Sequence, residues 1–119
     1  MPIALQHERD NIYRLEIVGQ LRVADFARSG TQLAAEIARI GPVRLLFLLQ
    51  GFGGWEQGTE WNDLSFYVKH GDRIERIAIV GDERWQSEAM MFAAAGLRKA
   101  PVEFFPASDL ARARAWLLA

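Results

Sequence analysis

Asp63, Tyr67 and His70 fall at i, i+4 and i+7, a spacing that brings side chains onto one face of a helix. A carboxylate, a phenol and an imidazole grouped in this way could move protons, with His70 as base and Asp63 fixing its tautomer. Seven residues of helix rise about 10 Å, so Asp63 does not easily orient His70 directly. His70 would also stand near the helix C-terminus, where the backbone dipole favours an imidazolium, and a solvated helix end accounts for it equally well. His7 and His70 share no spacing suited to a metal ion. Asp82 follows an apolar run, at the strand end where open α/β sheets hold ligands; aspartate is also a good helix N-cap. These residues suggest no catalytic set, no metal site and no cofactor.

The stretch from Gly51 to Trp61, GFGGWEQGTEW, raises a second chemistry. A dinucleotide fingerprint needs G-x-G-x-x-G, and Glu56 occupies the place of its last glycine. A phosphate loop needs G-x-x-x-x-G-K-[ST]; Gly53 and Gly58 have the spacing, but Thr59 stands where the lysine belongs. From Gly51 to Val68 the charged residues are Glu56, Glu60 and Asp63. The helix dipole contributes ~0.3–1 kcal/mol at an exposed end, too little to outweigh those carboxylates. The stretch reads instead as a turn whose glycines take unusual backbone angles while Phe52 and Trp55 pack.

The elements that must position these residues belong to a chain of 119 residues, 50% hydrophobic and 24% charged. That suits one folded domain, residues 1–119, able to bury a core without disulfides or metal. The net charge of −1 gives no electrostatic footprint for nucleic acid. Cysteine is absent, which removes disulfides, thiolate metal sites and cysteine nucleophiles. The N-terminal MPIALQHERD lacks a long apolar stretch, and Leu45–Leu49 is too short to span a bilayer. The expectation is a cytoplasmic protein that does not span a membrane.

Ile3, Leu5 and His7 share one face of a first strand, and Tyr13, Leu15 and Ile17 alternate with Arg14 and Glu16 in a second. Asp10-Asn11 suits the hairpin turn between them. Residues 24–40 take helical spacing, with Phe26, Gly30, Leu33, Ile37 and Ile40 as the stripe, and Gly41-Pro42 stops the helix. Val43–Leu49 reads as a buried strand, followed by a helix at 59–70 with Thr59 as N-cap. Ile77–Val80 is a further strand, then a helix over 83–98. Val102–Phe105 is a short strand, and Ser108 caps a last helix carrying Leu110, Ala113 and Leu117. The fold class is α/β: an N-terminal β-hairpin, then strand–helix repeats in a mixed, mostly parallel sheet flanked by helices.

In the 83–98 segment Trp85, Ala89 and Phe92 make one stripe, Met90, Ala93 and Leu97 lie beside it, and Met91 points elsewhere. So broad an apolar surface suits a helix clamped between sheet and neighbours, a dimer contact or an apolar pocket, and methionine adapts to varied partners.

Taken together, GFGGWEQGTEWNDLSFYVKH, IERIAIVGDERW and SDLARARAWL resemble the SpoIIAA-like branch of the STAS families, the sulphate-transporter and anti-sigma-antagonist domains. The most specific parts are Trp55, Trp61, Asp63, Phe66, His70 and the Val80-Gly81-Asp82…Trp85 run. The resemblance implies a mixed sheet flanked by helices, related in shape to the lipid-binding lobe of CRAL-TRIO proteins. Anti-sigma antagonists of this kind carry a phosphorylatable serine in a turn between strand and helix. The matching turn here, Gln50–Gly54, has no hydroxyl, and nearby Thr59 already serves as a cap.

The first functional expectation is therefore a non-enzymatic STAS-like binding or regulatory module, acting on a protein partner or as a homodimer and lacking the serine switch. The alternative is a carrier or sensor of an apolar small molecule or lipid, and the third is an enzyme using Asp63, Tyr67 or His70. Candidate contact residues are Phe52, Trp55, Trp61, Asp63, Phe66, Tyr67, His70, Asp82, Trp85, Met90 and Met91.

Overall fold

The computed structural model describes residues 3–57, 73–93 and 99–119. The helix expected at 59–70, with Thr59, Trp61, Asp63, Phe66, Tyr67 and His70, lies outside the described residues. So does the 94–98 end of the helix expected over 83–98.

Strands β1 (Ile3–Arg9) and β2 (Ile12–Leu21) form the expected antiparallel hairpin. Its turn needs a left-handed residue, and Asp10 supplies it at φ 48°, a conformation that short polar side chains tolerate. Helix α1 (Val23–Ile40) follows, then β3 (Val43–Trp55) and β4 (Ile74–Gly81). After a 3-10 turn at Glu83–Trp85 come helix α2 (Gln86–Phe92), β5 (Val102–Pro106) and helix α3 (Leu110–Leu118).

The five-stranded sheet has the order β1-β2-β3-β4-β5, with β2 to β5 mutually parallel. When strand order follows chain order, right-handed crossovers all pass over the same face. Both α1 and α2 lie there, where Leu33 and Ile37 of α1 and Ala89 of α2 join Leu15, Ile17, Phe47, Leu49 and Ile79 in one core. Helix α3 covers the opposite face, setting Ala113 and Leu117 on Leu46, Leu48, Ala78, Val80 and Phe105. The central strands β3 and β4 are thus apolar on both sides, which is why their sequences run without polar alternation.

Three elements depart from the sequence reading. The buried row of α1 is Ser29, Leu33 and Ile37, at four-residue steps whose next member is Gly41. Ile40 falls off that row and is 39% exposed. Strand β3 runs on to Trp55 rather than stopping at Leu49. Ser108 lies inside a 3-10 turn (Ala107–Asp109), so Asp109 precedes α3 and gives it no side-chain cap. The far end of α3 is held instead: Arg44 donates to the Leu117 and Ala119 carbonyls, and Arg76 donates to Trp116 O at 2.6 Å. Cations on the orphan carbonyls of a helix C-terminus are favoured by hydrogen bonding and by the dipole.

Where α3 leaves the hairpin uncovered, its face is an ion network. Glu8 accepts from Arg114 Nη2 at 2.7 Å and from Arg14 Nη1 at 3.3 Å, and Arg14 also donates to Gln6. This network ties the last helix to the first strand.

Candidate functional site

The carboxyl ends of β2, β3 and β4 meet at the segment Gly51–Trp55, and the expected glycine turn proves to be strand. Its pairing with β2 runs Val18↔Gln50, Gly19↔Phe52 and Leu21↔Trp55, so β3 gains a residue at each of two register shifts. Gly51 (φ 54°) and Gly54 (φ 93°) take up the two extra residues. Each such bulge reverses the side-chain alternation that follows it. Leu49, Phe52 and Trp55 therefore all join the α1/α2 side of the sheet, although their spacing of three would alternate them in a regular strand. The glycines redirect aromatic rings; they do not open a loop for phosphate.

Trp85, on the 3-10 turn before α2, completes the cluster. A Cβ on Gly54 would stand 3.1 Å from Trp85 Cη2, so the indole lies directly on the bare backbone. Phe52 meets Trp55 and Trp85 edge-on, with centroids 4.9 and 5.1 Å apart. Trp55 contacts Phe92 of α2 at 5.5 Å, and Phe92 contacts Phe26 of α1 at 5.1 Å. Edge-to-face pairs are favoured by ring quadrupoles beyond simple burial. The Arg84 guanidinium lies over the Trp85 ring at 5.0 Å, a cation–π contact on the cluster's rim.

Glu56 settles what stands at the start of α1. Its backbone N–H donates to Leu21 O at 2.8 Å, and its carboxylate accepts from Val23 N at 3.0 Å. The N-cap position, Arg22, provides no side-chain bond. Glu56 thus supplies from across the sheet end the anion that a helix N-terminus favours. The residue that broke the dinucleotide fingerprint caps the helix that precedes its strand.

Beneath the rings is a narrow gap of about 20 Å³, lined by Ile17, Leu49, Phe52, Trp55, Ala89 and Phe92 among others. The indole Nε1 of Trp55 is buried with no acceptor among the described residues. Of the other candidates, Phe52 is buried, Trp85 and Met90 are half-buried, and Met91 is 78% exposed on the outer side of α2. Asp82 Oδ1 accepts from Arg84 N at 2.9 Å and so caps the 3-10 turn. Trp61, Asp63, Phe66, Tyr67 and His70 lie outside the described residues. Phe92 was legible only as core, from its i+7 spacing to Trp85; Phe26 likewise; and nothing marked Glu56 as a cap.

Among the described residues no group of three His, Cys, Asp or Glu could hold a metal ion. The shifted ionisable groups stand away from the aromatic cluster. Tyr13 is held above the usual phenol range by burial and by its hydrogen bond to Glu36, made at 2.6 Å. Glu36 is held below the usual carboxyl range by hydrogen bonds from Arg39 and then Tyr13. Arg114 is raised by its bond to Glu8. These groups fasten α1 and α3 to the hairpin.

The described residues form a hairpin-led mixed sheet with two helices on one face and one on the other, an α/β domain. The chain belongs to the SpoIIAA-like family, whose model matches residues 12–118. It is similar to the crystal structure of an uncharacterised protein of the DUF3478 family with a SpoIIAA-like fold, from Shewanella loihica PV-4. That likeness has a TM-score of 0.73 at 25% identity, covering 97% of this chain and 91% of the other. No curated protein matches the chain. Among the described residues no helix is long and apolar enough to cross a membrane.

Proposed function

We propose that this chain, as one cytoplasmic unit of residues 1–119, is a non-enzymatic SpoIIAA-like binding or regulatory module. It works through protein–protein contact, including self-association, at the end of the sheet where Phe52, Trp55, Trp85 and Met91 lie. One observation carries the reading: β3 is bulged twice at glycines, and both bulges serve to gather aromatic rings at one rim rather than to build a charged or polar pocket. Met91, on the outer side of the helix that follows Trp85, adds an exposed, polarizable apolar side chain. The segment Gly51–Gly54 has no hydroxyl, so regulation by serine phosphorylation there is not part of the proposal. Cross-linking and light scattering of purified protein test it. Association that weakens in Met91→Glu supports the surface; a dimer unchanged by Met91→Glu contradicts self-association through it.

A second reading, a carrier or sensor of an apolar ligand, is supported by the apolar gap beside Trp55. Native mass spectrometry of freshly purified protein checks it: a co-purified small molecule supports it, and consistent absence argues against it.

A further inference from the structure

We infer that Met91 is a reversible oxidation site, at which a peroxide converts the thioether to a sulfoxide and so releases the self-association proposed above. This rests on that association and adds its regulation. Helix α2 buries Ala89 and packs Met90 and Phe92 against the core. Met91 stands two residues on from Ala89, about 200° around the helix, and is 78% exposed. The other large apolar side chains exposed among the described residues are Val18, Ile40 and Leu118, at 48%, 39% and 47%. Met91 is therefore the most open of these side chains and the one whose sulfur can be oxidised. The chain has no cysteine to consume a peroxide first, and its three methionines are Met1, Met90 and Met91.

The chemistry transfers one oxygen. A lone pair on Met91 Sδ attacks the terminal oxygen of the peroxide, the O–O bond breaks and an S–O bond forms. The proton of the attacked oxygen passes to the departing one, which leaves as water or an alcohol. The sulfur is oxidised and the peroxide reduced, and a flexible apolar group becomes a polar, chiral one. On the free helix the sulfoxide oxygen is hydrated, beside the exposed Ser87 and Glu88 one turn back. In an apolar contact it loses that water, and a buried polar group without a partner costs a factor of about five or more. A two-fold contact buries the same patch of both copies, so the penalty enters twice. Met90, packed against the core, is shielded from the same reagent and serves as an internal control.

The test treats the protein with dilute hydrogen peroxide and locates the added oxygen from fragment masses, which separate Met91 from Met90 and Met1. Light scattering follows association before treatment, after it, and after methionine sulfoxide reductases for both epimers, with a dithiol, have removed the oxygen as water. Met91 is expected to gain oxygen several-fold faster than Met90, association to weaken at least about ten-fold, and reduction to restore it. Met91→Leu keeps the apolar surface without the sulfur, so it should associate like wild type and ignore peroxide. Met90 oxidised as fast as Met91, association unchanged once Met91 is oxidised, or association lost on treatment of Met91→Leu overturns the inference. The contact surface itself still stands if Met91→Glu weakens association. Untreated wild-type protein that stays monomeric at every concentration overturns both. The wild-type comparison decides the matter even where Met91→Leu does not fold.

Discussion

At Gly54 two demands coincide: a backbone angle of φ 93° and the Trp85 ring 3.1 Å from where a Cβ would go. Gly54→Ala therefore strains the backbone and displaces the indole. Each unfavourable left-handed residue costs of order 1–3 kcal/mol, so urea unfolding is expected to show a loss of at least about 1 kcal/mol, with altered tryptophan fluorescence. Gly53 has an ordinary backbone angle and a hypothetical Cβ no closer than 3.4 Å to its neighbours, so Gly53→Ala is the milder control. Glu56→Ala removes the carboxylate from Val23 N and should cost about 1 kcal/mol, as loss of a helix cap does; Glu56→Gln retains an acceptor and should cost less. Equal stability of wild type and Glu56→Ala would show that the bond contributes nothing. The composition of this stretch marked Glu56 only as a charge; it could not show the cap, because the partner of Glu56 lies 33 positions earlier in the chain.

Among the elements, the helices are fastened to the hairpin by ionic groups that periodicity does not reveal. Glu8 joins α3 to β1 through Arg114 and Arg14, with side-chain exposures of 14% for Glu8, 23% for Arg14 and 42% for Arg114. Glu8→Ala removes the carboxylate that Arg14 and Arg114 share, while Arg14 keeps Gln6 and Glu16, and a loss of about 1 kcal/mol in thermal or urea unfolding is expected. On the other face Tyr13 and Arg39 hold Glu36, whose lowered pKa means that its stabilisation is present above the ordinary carboxyl value of 4.5 and is lost as pH falls through its folded value. Glu36→Gln should therefore flatten the acid limb of stability against pH below about 4.5. An unchanged acid limb in that variant would assign the acid sensitivity to other carboxylates. Strand β3 shows the limit of pattern reading most clearly. Its apolar core, Leu45–Leu49, was legible as a buried strand. The continuation to Trp55 was not, because glycine in sequence signals a turn and a bulged strand alike.

For the whole molecule, element order and class were written plainly: a hairpin, helical spacing over 24–40, two largely apolar strands and a last amphipathic helix. Right-handed crossovers then left little freedom in how these could assemble, and the five-stranded mixed sheet follows. The aromatic end was legible only in part. Phe52, Trp55 and Trp85 stood out as residues, yet what joins them is a pair of bulges that reset side-chain direction, and no residue spacing announces that. The ends of the molecule thus have different characters: helix α3 and β3–β4 are closed off by Arg44 and Arg76, while the opposite end gathers aromatic rings with Met91 in solvent. The proposed contact surface is that second end. Light scattering of wild type and Met91→Glu across a range of concentrations tests it most directly. The wild-type mass is expected to rise above the monomer as concentration increases, and the variant to stay near monomer with unchanged circular dichroism. A wild-type protein that remains monomeric at every concentration, or a Met91→Glu protein that associates as strongly as wild type, would contradict self-association through this surface.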